Sequence, residues 1–120
     1  ARDPKSTSFN AHMRGILAEN LAVLRSETDA SGRSLEVIPL EEAVEAERTS
    51  DVFCRSYINF ALANGGVIMP AYGTAGDAKA RATISRAYPD RRIVEVDVSA
   101  IAPGGGAIHC ITQELPVAGG

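Results

Sequence analysis

The chain has 120 residues, 45% of them hydrophobic, which suits one ordinary domain with a moderate core and is too apolar for a disordered tail. Aromatics make up only 5% and Trp is absent, so the core must be mostly aliphatic, and a stacking platform for single-stranded nucleic acid is disfavoured. The formal net charge of -3, with scattered Lys and Arg, offers no basic stripe for a phosphate backbone, so nucleic acid is not an expected partner.

No apolar run is long enough to span a bilayer, and the N-terminus lacks a basic-then-apolar signal pattern. The expectation is a soluble, cytoplasmic protein without a membrane partner. Two cysteines, Cys54 and Cys110, are too few for a disulfide scaffold. Neither has metal-site spacing to another Cys or His, apart from the neighbour pair His109-Cys110, so reduced thiols and no bound metal are expected. The opening Ala1-Arg2-Asp3-Pro4, without an initiator Met, suggests either processing or a piece of something longer, and the second is the expectation taken here.

In chain order, a polar stretch to Asn10 leads into Met13, Ile16, Leu17, Leu21 and Leu24, whose spacing of three and four predicts an amphipathic helix ending near Thr28. Asp29-Ala30-Ser31-Gly32-Arg33 is turn chemistry, and Leu35-Glu36-Val37-Ile38-Pro39-Leu40 predicts a short strand stopped by its proline. Residues 41–51, rich in Glu and poor in large apolar side chains, predict an exposed loop or short surface helix. Phe53 to Leu62 and Val67-Ile68-Met69-Pro70 flank Asn64-Gly65, which predicts an antiparallel hairpin with a type I′ turn. Asp77 can cap a helix carrying Ala80, Ile84 and Ala87 on its apolar side and ending before Pro89. In Arg92-Ile93-Val94-Glu95-Val96-Asp97-Val98 the valines alternate, predicting a strand half-buried on their face. Strand, strand, helix, strand is therefore spelled out from residue 53 to residue 98, an α/β arrangement with no visible internal repeat.

After Ala102-Pro103, the glycines Gly104-Gly105-Gly106 precede Ala107-Ile108-His109-Cys110-Ile111-Thr112-Gln113. The β-branched run predicts a strand, with Cys110 held near a backbone that can approach a ligand closely. A cationic ligand beside the sulfur would favour the thiolate that cysteine chemistry requires. The plain alternative is that Cys110 is a small buried apolar residue. On a strand His109 would point away from Cys110, which reads it as a structural histidine and not as the base serving the thiol. His12, on the first predicted helix, reads as a surface residue. Asn59 and Asn64 invite a reading as substrate-facing amides, but strand-end and turn roles explain them adequately, as capping explains Asp77, and Gly105 and Gly106 either present backbone amides near a site or merely permit a turn.

The stretch from Gly104 to Gln113, with Pro116 after it, resembles the C-terminal signature of the agmatine deiminase and bacterial peptidylarginine deiminase family. Ser56-Tyr57-Ile58-Asn59-Phe60, Asn64-Gly65-Gly66-Val67-Ile68-Met69-Pro70, Tyr72-Gly73, Asp77, Tyr88-Pro89 and Arg92 are similar to that family in order and spacing, as are Asn20-Leu21 and Leu35 to Leu40. Ala107 departs from it, since many members carry Asn there.

The resemblance implies a pentein fold, a fivefold pseudo-symmetric α/β propeller of ββαβ modules, with residues 1–120 as the C-terminal part of a single catalytic domain. It implies Cys110 as the nucleophile on the guanidinium carbon, Gly105 and Gly106 near the substrate, and no cofactor. The partners it implies are a small cationic guanidino compound such as agmatine, the N-terminal portion of the same protein, and further copies in a homo-oligomer. The family's catalytic histidine and guanidinium-gripping carboxylates come from earlier chain, and no matching motif is present here, so the fragment alone is expected to be inactive. Rival readings are a peptidylarginine deiminase or amidinotransferase of the same fold, a non-catalytic α/β protein-binding module, and, less well supported, a papain-like hydrolase.

Overall fold

The computed structural model describes residues 4–118, with side chains from residue 11 onward. The chain divides into two compact units, Ala1–Ile38 and Pro39–Gly120.

The first unit is built on α1, Pro4–Ser26, the helix that the apolar spacing predicts. It starts earlier than the apolar stripe does, because a proline in the first turn has its φ already set and no amide to lose. Ile16, Leu17 and Leu24 of the stripe are exposed, as is His12. The turn that follows is organised by Asp29. Its carboxylate accepts the backbone N–H groups of Ser31 and Arg33, each at 2.9 Å, and pairs with Arg33 Nε at 2.7 Å. These Arg33 and Ser31 donors hold the Asp29 carboxyl below its usual range. The run from Leu35 to Leu40 is not a strand. Its β-branched pattern finds no neighbouring strand to complete a ladder, and without paired backbone groups the pattern alone does not make a sheet.

The second unit contains the ββαβ order anticipated from the sequence. Strand β1, Ala61–Ala63, pairs antiparallel with β2, Gly66–Ala71, and β2 pairs parallel with β3, Arg92–Asp97, across the helix α2, Ala75–Ala87. A parallel pair needs such a crossover, and α2 supplies it. The strand expected from Phe53 is only three residues long. Residues 53–60 are instead irregular, held by Cys54 N–H to the Ala102 carbonyl at 2.9 Å and by the Arg55 carbonyl, which accepts the Ala43 N–H at 2.9 Å. The Asn64-Gly65 turn also differs in type. Only Gly65 has positive φ, 72°, whereas a type I′ turn needs it at both central positions.

Helix α2 begins one turn before the expected point. Thr74 is the N-cap, and Asp77 sits at the third helical position, where its carboxylate accepts the Thr74 N–H at 3.1 Å while its own N–H reaches the Thr74 carbonyl at 3.1 Å. Ala80 and Ile84 are buried and Ala87 is exposed, while Tyr88 just beyond the helix packs against the same core.

The sheet faces two ways. Val67, Met69 and Ile93 pack with Ala80, Ile84, Ala43, Ala46 and Tyr57 into one core. Thus residues 41–51 form turns whose Glu side chains face outward, but their two alanines are core, a contribution too small for a hydropathy pattern to signal. On the opposite face, Val98, Ala102, Ala107 and Ile108 form a second core, against which Ile68 and Ala61 pack. This smaller core covers only part of the sheet. Val94 and Val96 are consequently exposed, at 42% and 38%, and the buried residue of the early strand is Ile93. The alternation is present, but the expected burial of the valine face is reached only at Val98.

Among the described residues, no helix is long and apolar enough to cross a membrane.

Candidate active site

The second core fixes where Cys110 stands. Ala107 and Ile108 are buried at 0% and 5%, and the chain then makes a 3-10 turn over His109–Ile111. The predicted strand through Cys110 is therefore absent. The apolar run is used as two anchors followed by an exposed turn, and no adjacent strand offers its backbone a ladder. Burying Ile108 contributes about 2 kcal/mol toward holding this segment down. Ile111, 66% exposed, contributes no such anchor.

Cys110 is itself exposed. Asn59 Nδ2 donates to its Sγ at 3.0 Å, Cys110 N–H donates to Asn59 Oδ1 at 3.2 Å, and His109 N–H donates to the Asn59 carbonyl at 3.1 Å. The Asn59 amide, followed by the Ala107 backbone N–H, pushes the Cys110 thiol below its ordinary range, because both donate to the charged sulfur. The alternative that Cys110 is a buried apolar residue is thereby overturned. Asn59, for which the sequence reading weighs a strand-end role against a substrate-facing amide, is instead the side-chain partner of this cysteine.

The glycines behave differently from one another. Gly105 has φ 92°, and its N–H is spent on the Ala102 carbonyl at 3.0 Å, so it closes a turn and does not present that amide outward. A Cβ on Gly106 would lie 2.8 Å from Cys110 Cβ and 3.0 Å from its Sγ. Gly106 thus leaves no room for a side chain beside the thiol. His109 is exposed and turned away from Cys110, since successive residues of a 3-10 turn are about 120° apart. Its carbonyl accepts the Thr112 N–H and hydroxyl at 3.2 and 3.1 Å, so its contribution is structural, through backbone and not through packing. Asn64 lies in the hairpin turn, away from these groups.

Asp77 supports the arrangement from behind. Its carboxylate accepts the Tyr57 hydroxyl at 2.7 Å and the N–H groups of Tyr72, Gly73 and Thr74 at 3.0, 2.8 and 3.1 Å. Burial pushes the Tyr57 hydroxyl up to about 12, so it remains a donor. Tyr57 is 1% exposed and stands in the turn Ser56 to Asn59, where Asn59 N–H reaches the Ser56 carbonyl at 3.2 Å. Pinning Tyr57 therefore helps to place Asn59.

A separate cleft of about 290 Å³ lies between residues 39–45 and α2, lined by Leu40, Glu42, Tyr57, Thr74, Lys79 and Thr83 among others, and includes none of Asn59, Gly106 or Cys110. Among the described residues, no group of three or more His, Cys, Asp or Glu side chains is placed to hold a metal ion.

An agmatine deiminase structure from Enterococcus faecalis superposes with a TM-score of 0.73 at 33% identity, covering 80% of this chain and 31% of that one. Together with further agmatine and peptidyl-arginine deiminase structures, it establishes the mixed α/β fold as part of a pentein. Residues 5–116 match the Porphyromonas-type peptidyl-arginine deiminase family, and the chain belongs to that family. A Streptomyces coelicolor protein provisionally named agmatine deiminase is 40% identical over 116 residues, 96% of this chain and 33% of that protein. One from Latilactobacillus sakei, named in the same way, is 39% identical over 119 residues, 84% of this chain and 33% of that protein. The chain thus spans about a third of the length of the relatives it matches.

Proposed function

We propose that the chain is the nucleophile-bearing, C-terminal part of an agmatine deiminase, with Cys110 attacking the guanidinium carbon. The observation that carries this reading is an exposed thiol whose charged form is favoured by the Asn59 amide and the Ala107 N–H. A bound guanidinium would favour the thiolate further.

In the first step the Cys110 sulfur forms a bond to the guanidinium carbon, giving a tetrahedral intermediate. One terminal nitrogen takes up a proton, its bond to carbon breaks, and ammonia leaves. The remaining alkylamidino group is attached to sulfur. Water then adds to the same carbon, both of its protons are lost as the carbonyl forms, and the carbon–sulfur bond breaks to return the thiolate and release N-carbamoylputrescine. Splitting the displacement in this way is nucleophilic catalysis. The proton transfers and the grip on the planar cation fall to groups in the rest of the domain, because a guanidinium fork requires paired acceptors held in place. Residues 1–120 alone are accordingly inactive, and the N-terminal portion of the domain is their first partner. The active protein is a homo-oligomer in this proposal, and no cofactor enters the steps.

The test is the full-length protein with Cys110 intact and with Cys110→Ala, supplied with agmatine while ammonia and N-carbamoylputrescine are followed. Product from the first and none from the second supports the reading. Equal turnover by both would sink the nucleophile assignment. Citrulline formed from arginine peptides, with agmatine untouched, would keep the mechanism and transfer the substrate to the peptidyl-arginine class for which the family is named.

A further inference from the structure

We propose that Asn59 is a positioning residue for Cys110, holding the sulfur and the backbone amide of that one residue with the two ends of a single carboxamide. The role rests on reading Cys110 as the nucleophile, and it assigns a second residue, 51 positions earlier in the chain, to the same reaction.

The orientation of the amide is dictated by its partners. The Cys110 N–H can only donate, so it must face Oδ1, and it does so at 3.2 Å. That leaves Nδ2 facing Sγ at 3.0 Å, where its hydrogen meets the lone pairs of the thiolate. The flipped amide would set a donor against a donor and an oxygen against the sulfur, so the observed contacts are mutually consistent. A third bond, from His109 N–H to the Asn59 carbonyl at 3.1 Å, joins the two backbones one residue earlier. Asn59 itself is partly buried and is placed from behind by the buried Tyr57 and its bond to Asp77. The 3-10 turn His109–Ile111 is exposed and has no ladder of its own, so Asn59 supplies the tie that a strand would otherwise provide.

A carboxamide is the side chain that fits both contacts. Aspartate has the same shape and keeps an oxygen for the Cys110 N–H, but it sets a negative charge against the sulfur where the amide sets a donor. Alanine removes both contacts. The two substitutions thus separate tying down the turn from favouring the thiolate.

The experiment is the pH dependence of iodoacetamide alkylation in the full-length protein, without substrate, with Cys110 distinguished from Cys54 by peptide mass spectrometry. Asn59→Asp is expected to move the Cys110 profile to higher pH and to slow alkylation at neutral pH by about tenfold, the effect of one added charge near 3 Å at a water-exposed sulfur. Asn59→Ala is expected to fall between Asn59→Asp and the unaltered protein, and circular dichroism of the Asp variant is expected to be unchanged. A Cys110 profile that does not move in either variant overturns the proposal. Loss of folding in both overturns it too, since Asn59 would then hold the fold and not the thiol. Turnover by Cys110→Ala reads the nucleophile assignment separately, so the two ideas can fail independently.

Discussion

Placing a methyl group on Gly106 perturbs the candidate site at Cys110 itself. An alanine Cβ there would come within 2.8 Å of Cys110 Cβ and 3.0 Å of Sγ, whereas carbon atoms in contact prefer about 3.5–4.0 Å. The backbone of Gly106 is not in the left-handed region, so Gly106→Ala carries no conformational penalty of its own, and its whole effect falls on Cys110. Relief requires a movement of about 0.7–1 Å, taken up by the exposed turn and not by buried Ala107 and Ile108. A misplacement of that size costs about 100-fold in turnover when attack geometry is demanding. The assay is kcat/KM for agmatine in the full-length protein, run beside Gly104→Ala, where a new Cβ meets nothing within 4 Å. Loss in the first variant and near-normal activity in the second is the expected result. Unchanged turnover and unchanged Cys110 alkylation in Gly106→Ala would refute the close approach.

Replacing Asp77 by Ala strips the acceptor from the Tyr57 hydroxyl and three backbone amides, and is expected to cost about 3 kcal/mol in urea unfolding and to slow turnover through the displaced Tyr57 and Asn59. A loss of stability with unaltered turnover would show that Asp77 serves the fold alone. Ile84→Ala, at 3% exposure against the sheet, should cost about 3 kcal/mol without altering the Cys110 alkylation profile, as read by the same two assays. The folded Cys110 thiol lies below its ordinary range, so its thiolate persists to lower pH and declines only as pH falls through the folded value. Alkylation of folded Cys110 should therefore rise at lower pH than alkylation of the same cysteine in the urea-unfolded protein; coincident profiles would contradict the Asn59 and Ala107 contacts.

The parts of the fold legible in the sequence are those whose signal is local. Pro89 closes α2, the Asn64-Gly65 pair marks the hairpin, and Ile93 to Asp97 follow a strand period, so the ββαβ order could be read from residue types alone. The misreadings share one cause, the need for a partner. Leu35 to Leu40 and Ile108 to Thr112 have β-branched strand composition, but neither lies beside a strand, and the second is taken up by burying Ala107 and Ile108 and tying the turn to Asn59. Val94 and Val96 keep their alternation while the second core stops short of them, and a period does not tell how far a covering layer extends.

The candidate site was legible in its thiol and its glycines, but not in how they work. Gly106 is required for space beside Cys110, which sequence alone could express only as permissiveness. Asn59 was missed because a contact spanning 51 residues leaves no trace in local pattern, and an Asn just before a strand already has an ordinary explanation. The available signal was its place in Ser56-Tyr57-Ile58-Asn59-Phe60, similar to the same family as the cysteine segment. Asp77 was legible as part of a helix start, yet its second task, holding Tyr57, arises only when the loop before β1 folds across α2.

The most direct test of the central claim is to capture the sulfur-bound intermediate. The full-length protein is mixed with agmatine, quenched in acid during turnover, digested and examined by mass spectrometry. The Cys110 peptide is predicted to carry the mass of agmatine less ammonia, with Cys54 unmodified and no adduct in Cys110→Ala. Sustained turnover with Cys110 unmodified, and with the alanine variant still active, would contradict the account.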